Sequence, residues 1–315
     1  MEILSGYGAI VTPTGPVVAT VGNFDGVHLG HQRLIGEVRA EASRRGLPAA
    51  VVTFDPHPLR VLAPERAPRM ILTRRQKIEI LAAFGIDLIV IIPFTREIAA
   101  VPAEEFVRRF LTGRLHAACV IVGEDFRFGS ARRGDAALLH ALAPQCGFEV
   151  RSISKVENGG TRISANRIRD ALAEGDIRAA TAMLGRAHVL VGQVVHGHGR
   201  GRELRVPTAN LLPENELIPA EGVYITETLV ELEWHRSVTN IGTRPTFEGA
   251  GFAIETHIPG FERSLYNELL RIRFHDRVRG ERRFASAEAL RAQIAEDIRR
   301  MRAWFRSGSG AGGPS

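Results

Sequence analysis

Residues 20–31 read Thr-Val-Gly-Asn-Phe-Asp-Gly-Val-His-Leu-Gly-His, and this stretch decides the fold of the first half of the chain. The β-branched run Val17-Val18-Ala19-Thr20-Val21 stops at Gly22, turns through Asn23-Phe24-Asp25-Gly26 and enters a helical pattern with apolar residues at Leu34, Ile35 and Val38. A strand that passes through a glycine-bearing turn into a helix is the opening of an α/β unit. His28 and His31, three residues apart, fall on one face of that helix in its first turns. Unpaired N–H groups and the positive end of the helix dipole make this position a site for an anion such as phosphate. Gly26 and Gly30 allow a bulky ligand close to the backbone. The same histidines also suit a metal ion or two satisfied surface imidazoles. A zinc protease is excluded, because the spacing lacks the Glu of a His-Glu-x-x-His helix.

Outward from this stretch, β-branched runs alternate with helical patterns, which predicts a mostly parallel sheet flanked by helices. Strands are expected at 17–21, 49–54, 88–92, 118–122 and 148–153, and helices near 30–45, 73–84, 103–112 and 135–146. Two short helices fit 164–174 and 177–184. After Leu184-Gly185-Arg186 the pattern changes to strands at 189–195, 223–232, 237–241, 252–257 and 269–274 without helices between them, the mark of an antiparallel barrel or sandwich. A helical period returns at 286–305, with Leu290, Ile294, Ile298, Met301 and Phe305 on one face, and residues 307–315 read as a Gly/Ser-rich disordered tail.

The chain has 315 residues, enough for about two domains. No apolar run approaches the ~20 residues of a membrane span, and the start lacks a signal-peptide core, so the expected location is cytoplasmic with no membrane partner. Cys119 and Cys146 are too few for a metal framework and give no case for disulfides. The net charge is +6, but it is not striped and aromatics do not alternate with arginines, so anionic small molecules are favoured over nucleic acid. Only Lys77 and Lys155 are lysines among 41 basic residues, and neither lies in a Gly-Lys-Ser/Thr context, which removes a Walker A loop.

Three more clusters follow predicted strands or open a helix. They are Thr53-Phe54-Asp55-Pro56-His57-Pro58, Val122-Gly123-Glu124-Asp125-Phe126-Arg127-Phe128-Gly129 and Arg162-Ile163-Ser164-Ala165-Asn166-Arg167-Ile168-Arg169. Taken alone, His57 reads as a turn residue and Ser164 as an N-cap, and Phe126 and Phe128 suit a core anchor as well as a ligand contact. The second half carries Gly192-Gln193-Val194-Val195-His196-Gly197-His198-Gly199-Arg200-Gly201-Arg202, then Pro207-Thr208-Ala209-Asn210. Thr208 and Asn210 fall on the same side of an extended segment, as a pair of oxygen donors for Mg²⁺ and phosphates. Further along stand Asn240-Ile241-Gly242-Thr243-Arg244-Pro245-Thr246-Phe247, Ile254-Glu255-Thr256-His257 and Arg279-Gly280-Glu281-Arg282-Arg283-Phe284.

Together, and in this order, these motifs resemble the bacterial bifunctional riboflavin kinase/FAD synthetases over roughly residues 15–305. The resemblance implies an α/β nucleotidyltransferase-type parallel-sheet domain over 1–185, then an antiparallel β-barrel riboflavin kinase domain with a C-terminal helix over 186–306. It implies an enzyme that phosphorylates riboflavin to FMN and adenylylates FMN to FAD, with ATP and Mg²⁺ as cofactors and riboflavin, FMN and ATP as partners. In the first domain it makes His28 and His31 catalytic. Nucleotide contacts go to Gly22, Asn23, Phe24, Asp25, Gly26, Gly30, His57, Gly123, Asp125, Ser164 and Arg169. In the second it makes Glu255 the general base, with Gly197, Gly199, Arg200, Gly201, Thr208, Asn210 and Arg279 at the nucleotide and Thr208 and Asn210 at the metal.

The chain departs from the family pattern at Ala165, Asn166, Arg205, Gly260 and Asn267. These departures leave two alternatives open, an enzyme active only as the adenylyltransferase and a non-catalytic flavin-binding regulatory protein. Assembly into a homo-oligomer is also left open.

Overall fold

The computed structural model describes residues 1–6, 15–154, 156–158, 160–196, 206–246 and 249–308. Gly197, Gly199, Arg200, Gly201 and Arg205 lie outside the described residues, as does the stretch 309–315 of the expected tail. The chain forms two compact units, one of residues 1–69 and 74–163 and the other of residues 70–73 and 164 onward.

The first unit contains, in chain order, β1 (Glu2–Ser5), β2 (Val17–Val21), α1 (Leu29–Arg45), β3 (Ala49–Asp55), α2 (Pro58–Leu62), α3 (Arg74–Ala83), β4 (Leu88–Pro93), α4 (Arg96–Ala99), α5 (Ala103–Glu105) and β5 (Ala117–Gly123). A short ribbon of β6 (Arg127–Phe128) and β7 (Gly134–Asp135), helix α6 (Ala136–Cys146), β8 (Glu149–Ile153) and a second ribbon, β9 (Glu157–Asn158) with β10 (Thr161–Arg162), complete it. Strands β1, β4, β3, β2, β5 and β8 lie in that order in one parallel sheet. Every residue of β2 is buried, as expected for a parallel strand covered on both faces. From β2 the chain builds outward through β3 and β4 on one side and through β5 and β8 on the other, so the order reverses between β2 and β5. In open α/β sheets the crevice at the carboxyl ends of such strands takes the ligand.

Segment 103–112, expected as one helix, is a single α-turn that passes into a π-helix over Phe106–Thr112. The wider winding lets Phe106, Val107, Phe110 and Leu111 all face the core. Strand β1 was not legible in the sequence: it is four residues long, largely exposed and at the sheet edge.

The second unit opens with α7 (Ala165–Glu174) and α8 (Ile177–Leu184). They precede β11 (His188–Val195), β12 (Ala209–Pro213), β13 (Gly222–Val230), β14 (Glu233–Thr246), β15 (Gly249–His257), β16 (Leu269–Arg279) and α9 (Ala287–Arg306). The strands close into an antiparallel barrel in the order β11-β12-β15-β14-β13-β16, which decides between barrel and sandwich. Strand β12 escaped the sequence reading because prolines 207 and 213 bracket it and disguise it as a loop.

Ile168, Leu172, Ile177 and Leu184 are buried in this unit, and the Ala220 N–H donates to the Leu172 carbonyl at 2.9 Å. The compact unit therefore begins at Ser164, ahead of the change in strand pattern at 186. Met301, Ile298, Trp304 and Phe305 of α9 pack on Val223, Ile225 and Val238. Inside the barrel, the fully buried hydroxyls of Thr226, Thr228, Ser237, Thr239 and Thr256 bond to one another at 2.8–3.3 Å. Mutual satisfaction offsets the cost of burying them.

Candidate active sites

In the first unit the loop after β2 is held under strain. Phe24 (φ 50°), Gly26 (φ 79°) and Val27 (φ 39°) all sit in the left-handed region, which a β-branched valine rarely adopts. For the non-glycine residues Phe24 and Val27 such geometry costs on the order of 1–3 kcal/mol each and persists only where packing imposes it. Here Phe24 and Val27 are both fully buried. The Phe24 side chain is packed in the interior, its ring 5.0 Å from that of His31 between centroids. Asp25 is also buried.

His28 is the N-cap of α1 rather than a first-turn residue. Its Nδ1 accepts from the His31 N–H at 3.4 Å. The two imidazoles stack at 3.7 Å between centroids. A Cβ at Gly30 would meet the His28 ring at 3.1 Å, so glycine there leaves room for the stack. Gly22 ends β2, donating to the Val52 carbonyl at 3.0 Å.

The loop after β3 meets the loop after β2. His57 caps α2 by accepting from the Leu59 N–H at 3.2 Å, and its Nε2 lies 3.2 Å from the Asn23 amide. The structure gives His57 both the local turn role and a place beside the first motif. Lys77, which the sequence reading used only to exclude a Walker A loop, is buried behind Asn23 and bonds to its carbonyl at 3.3 Å and to the Thr53 hydroxyl at 3.2 Å. Its only sequence signal was rarity, as one of two lysines in an arginine-rich chain.

After β5, the Asp125 carboxylate hydrogen-bonds Arg162 and approaches the Gly123 backbone. Phe126 and Phe128 stack at 5.3 Å and join the core cluster, so they anchor this loop.

In the second unit Ser164 is the N-cap of α7, accepting from the Arg167 N–H at 3.4 Å. Arg169 donates to the Asn166 side-chain oxygen at 2.8 Å, which gives this departure from the family pattern a role in holding the arginine.

Among the described residues, Thr208, Asn210, Asn240, Glu255 and Arg279 share one cavity of about 630 Å³. Strand register builds its polar wall. Asn210 on β12 and Asn240 on β14 are both directly opposite Glu255 on β15, so the carboxylate stands between two amides. Thr208, two residues before Asn210, is turned the same way. His257 contacts the Pro207 carbonyl through Nδ1 at 2.8 Å and fixes that approach. Leu290, Ile294 and Asp297 of α9 and the segment 258–266 line the other side.

Arg279, expected at the nucleotide, is engaged by Asp297, with Nη2 at 2.8 Å from Oδ2 and Nε at 3.2 Å from both oxygens. It ties α9 to the barrel at the cavity wall. Asn240, Glu281 and Asp297 are cavity residues that the sequence reading did not assign. Loss of surrounding water, followed by the charge and hydrogen bond of Glu221, raises the Glu281 carboxyl above its usual range; Glu255 adds a smaller push the same way. Two departures from the family pattern find physical reasons. Asn267 adopts φ 65°, a conformation that asparagine shares with glycine, and Gly260 sits in a turn at φ 83°.

Thr208 and Asn210 offer hydroxyl and amide oxygens to one cavity, donors that suit a Mg²⁺ keeping phosphate and water ligands. Among the described residues no group of three or more His, Cys, Asp or Glu is placed to hold a metal ion. No helix among them is long and apolar enough to cross a membrane.

Each half of the chain is similar to a known family. Residues 12–167 match the family model described as FAD synthetase, and residues 184–305 match that of riboflavin kinase. The bifunctional riboflavin kinase/FMN adenylyltransferase of Escherichia coli strain K12 is 38% identical over 294 residues, covering 93% of this chain and 94% of that one. The protein of the same description from Pseudomonas fluorescens is 38% identical over 287 residues, covering 91% and 92%. A crystal structure from Streptococcus pneumoniae, titled a macrolide-efflux protein, superposes with a TM-score of 0.89 at 29% identity, covering 96% of this chain and all of that one. With both family models in chain order and relatives aligned over nearly their full length, the chain belongs to the bifunctional riboflavin kinase/FMN adenylyltransferase family.

Proposed function

We propose that this chain carries out both reactions of its family at two separate sites. The barrel unit phosphorylates riboflavin to FMN with ATP, and the parallel-sheet unit adenylylates FMN to FAD with release of pyrophosphate. The observation that carries the reading is the pairing of Asn210, Glu255 and Asn240 in one strand register inside a cavity that also takes in Thr208.

In the kinase reaction the Glu255 carboxylate takes the proton of the riboflavin 5′-hydroxyl as that oxygen attacks the γ-phosphorus, and ADP leaves. Thr208 and Asn210 are the oxygen donors that would hold Mg²⁺, and the ion would supply positive charge against the ATP phosphates. In the adenylyl transfer an FMN phosphate oxygen attacks the α-phosphorus of ATP. No protein nucleophile is required, so the protein's part is positioning and charge stabilisation. His28 and His31 are assigned to the phosphates, with Asn23, Gly26, His57, Gly123 and Asp125 around the nucleotide. Functionally the domains are assigned as 1–185 and 186–306. The enzyme is assigned to the cytoplasm, which supplies the ATP that both reactions consume.

The test is direct. Purified protein is incubated with riboflavin, ATP and Mg²⁺, and riboflavin, FMN and FAD are separated by chromatography, with FMN supplied alone in a parallel reaction. Appearance of FMN and then FAD is expected. FAD from supplied FMN without any turnover of riboflavin would reduce the chain to its adenylyltransferase half, and binding of flavin without turnover would leave a non-catalytic protein.

A further inference from the structure

Lys77 is one of two lysines in a chain with 41 basic residues, and it is 7% exposed. An ammonium is strongly hydrated, and taking it out of water is costly unless its donors are met. Burial accordingly pulls its pKa down, while the carboxylates of Asp25 and Asp55 pull the other way.

Its partners converge on one atom. The Asn23 carbonyl accepts from the Lys77 ammonium at 3.3 Å and from the Thr53 hydroxyl at 3.2 Å, and Lys77 lies 3.2 Å from that same hydroxyl. This triangle joins three segments: the loop after β2, the end of β3 and helix α3. The side chain of the residue so held, Asn23, lies 3.2 Å from His57, at the head of the loop after β3. The junction stands at the carboxyl ends of adjacent parallel strands, beside the strained Phe24–Val27 turn. A methionine would fill the same volume without a desolvation cost. What it could not supply is a donor that fixes the plane of the Asn23 peptide.

We propose that Lys77 is a positioning residue of the adenylyl-transfer site, holding the Asn23 carbonyl so that the Asn23 amide and the His57 imidazole are set in place before substrate arrives. The proposal rests on the assignment of that site to FMN adenylylation. It adds a residue from α3, outside every motif that marked the site.

The experiment compares full-length wild type with Lys77→Met, Lys77→Gln and Thr53→Val. For each, kcat and KM are measured with FMN and ATP, riboflavin phosphorylation is measured in the same preparation, and thermal unfolding is recorded. Misplacement of about 1 Å in a positioned group costs up to ~10²-fold in rate. Lys77→Met is therefore expected to lower kcat for FAD formation by roughly 10- to 100-fold, with KM little changed and riboflavin phosphorylation at the wild-type level. Lys77→Gln keeps a donor for the Asn23 carbonyl and is expected to recover most of that loss; Thr53→Val, which removes the companion donor, should lower kcat in the same direction by less.

Wild-type kcat in a folded Lys77→Met would overturn the proposal, as would a Lys77→Gln no better than Lys77→Met. If Lys77→Met does not fold, an unchanged kcat in Thr53→Val overturns it. A wild type that phosphorylates riboflavin but makes no FAD would remove the assignment of the site itself, a failure distinct from loss in the variants alone.

Discussion

The two units place their polar groups by different means. In the parallel-sheet unit each motif is a contiguous loop at the end of a strand: Asn23 meets His57 because neighbouring strands end side by side, and His28 stacks on His31 because they stand three residues apart at one helix start. In the barrel no loop of that kind is needed for the acid and its companions. Asn210, Glu255 and Asn240 come from three strands far apart in sequence and meet through cross-strand register alone. Loop sites of the first kind must be braced from behind, here by Lys77 and by buried Phe24 and Val27. Register sites of the second kind inherit their precision from the ladder, because a slip of one residue would turn the whole set to the other face.

The largest expected effect tests the register site. Glu255→Gln keeps the shape and removes the proton acceptor, so FMN formation should fall by about 10²-fold or more while FAD formation from supplied FMN stays unchanged. Loss of both activities would break the separation of the two sites. His28→Ala and His31→Ala make the complementary test. Each should lower FMN-to-FAD conversion by ~10²-fold, as for other groups that stabilise charge, with riboflavin phosphorylation near wild type. His28→Ala also removes the N-cap of α1, so its thermal unfolding should be recorded beside the rates.

Smaller effects probe the barrel that holds the register. Thr239→Val removes a hydroxyl shared by Thr226 and Thr256 and should destabilise the protein by about 1–3 kcal/mol in denaturant unfolding, the cost of leaving buried partners unmatched. An unaltered midpoint would show that the ladder contributes no stability.

The smallest effect is confined to acid pH. His188 is 2% exposed, and neither ring nitrogen has a hydrogen-bond partner among the described residues. Burial first, and the charge of Arg186 second, lower its pKa from 6.5 to about 3. In that window the unfolded chain binds a proton that the folded chain refuses, so this residue makes stability fall as pH drops from about 6.5 towards about 3. His188→Phe should flatten that part of the pH dependence relative to wild type and leave stability at pH 8 less affected; identical slopes in both proteins would remove His188 from the acid response.

The sequence by itself determined the alternation of strands and helices to Leu184, the change to an all-strand pattern after it, and the order of motifs that marks the family. These are local properties: β-branched runs, helix-capping residues and short phrases whose chemistry lies within a few positions. His28, His31 and Glu255 were legible because each stands inside such a phrase. Tertiary structure alone decided what each group faces. It buried Phe24 against His31, paired Arg279 with Asp297, and added α7 and α8 to the barrel unit. It closed the barrel through the proline-bracketed β12, and it set Asn240 opposite Glu255 and Lys77 behind Asn23. The physical reason is sequence distance. Pairing register and the burial of a charge are set by contacts between residues tens of positions apart, and no local pattern of apolar and polar residues records them.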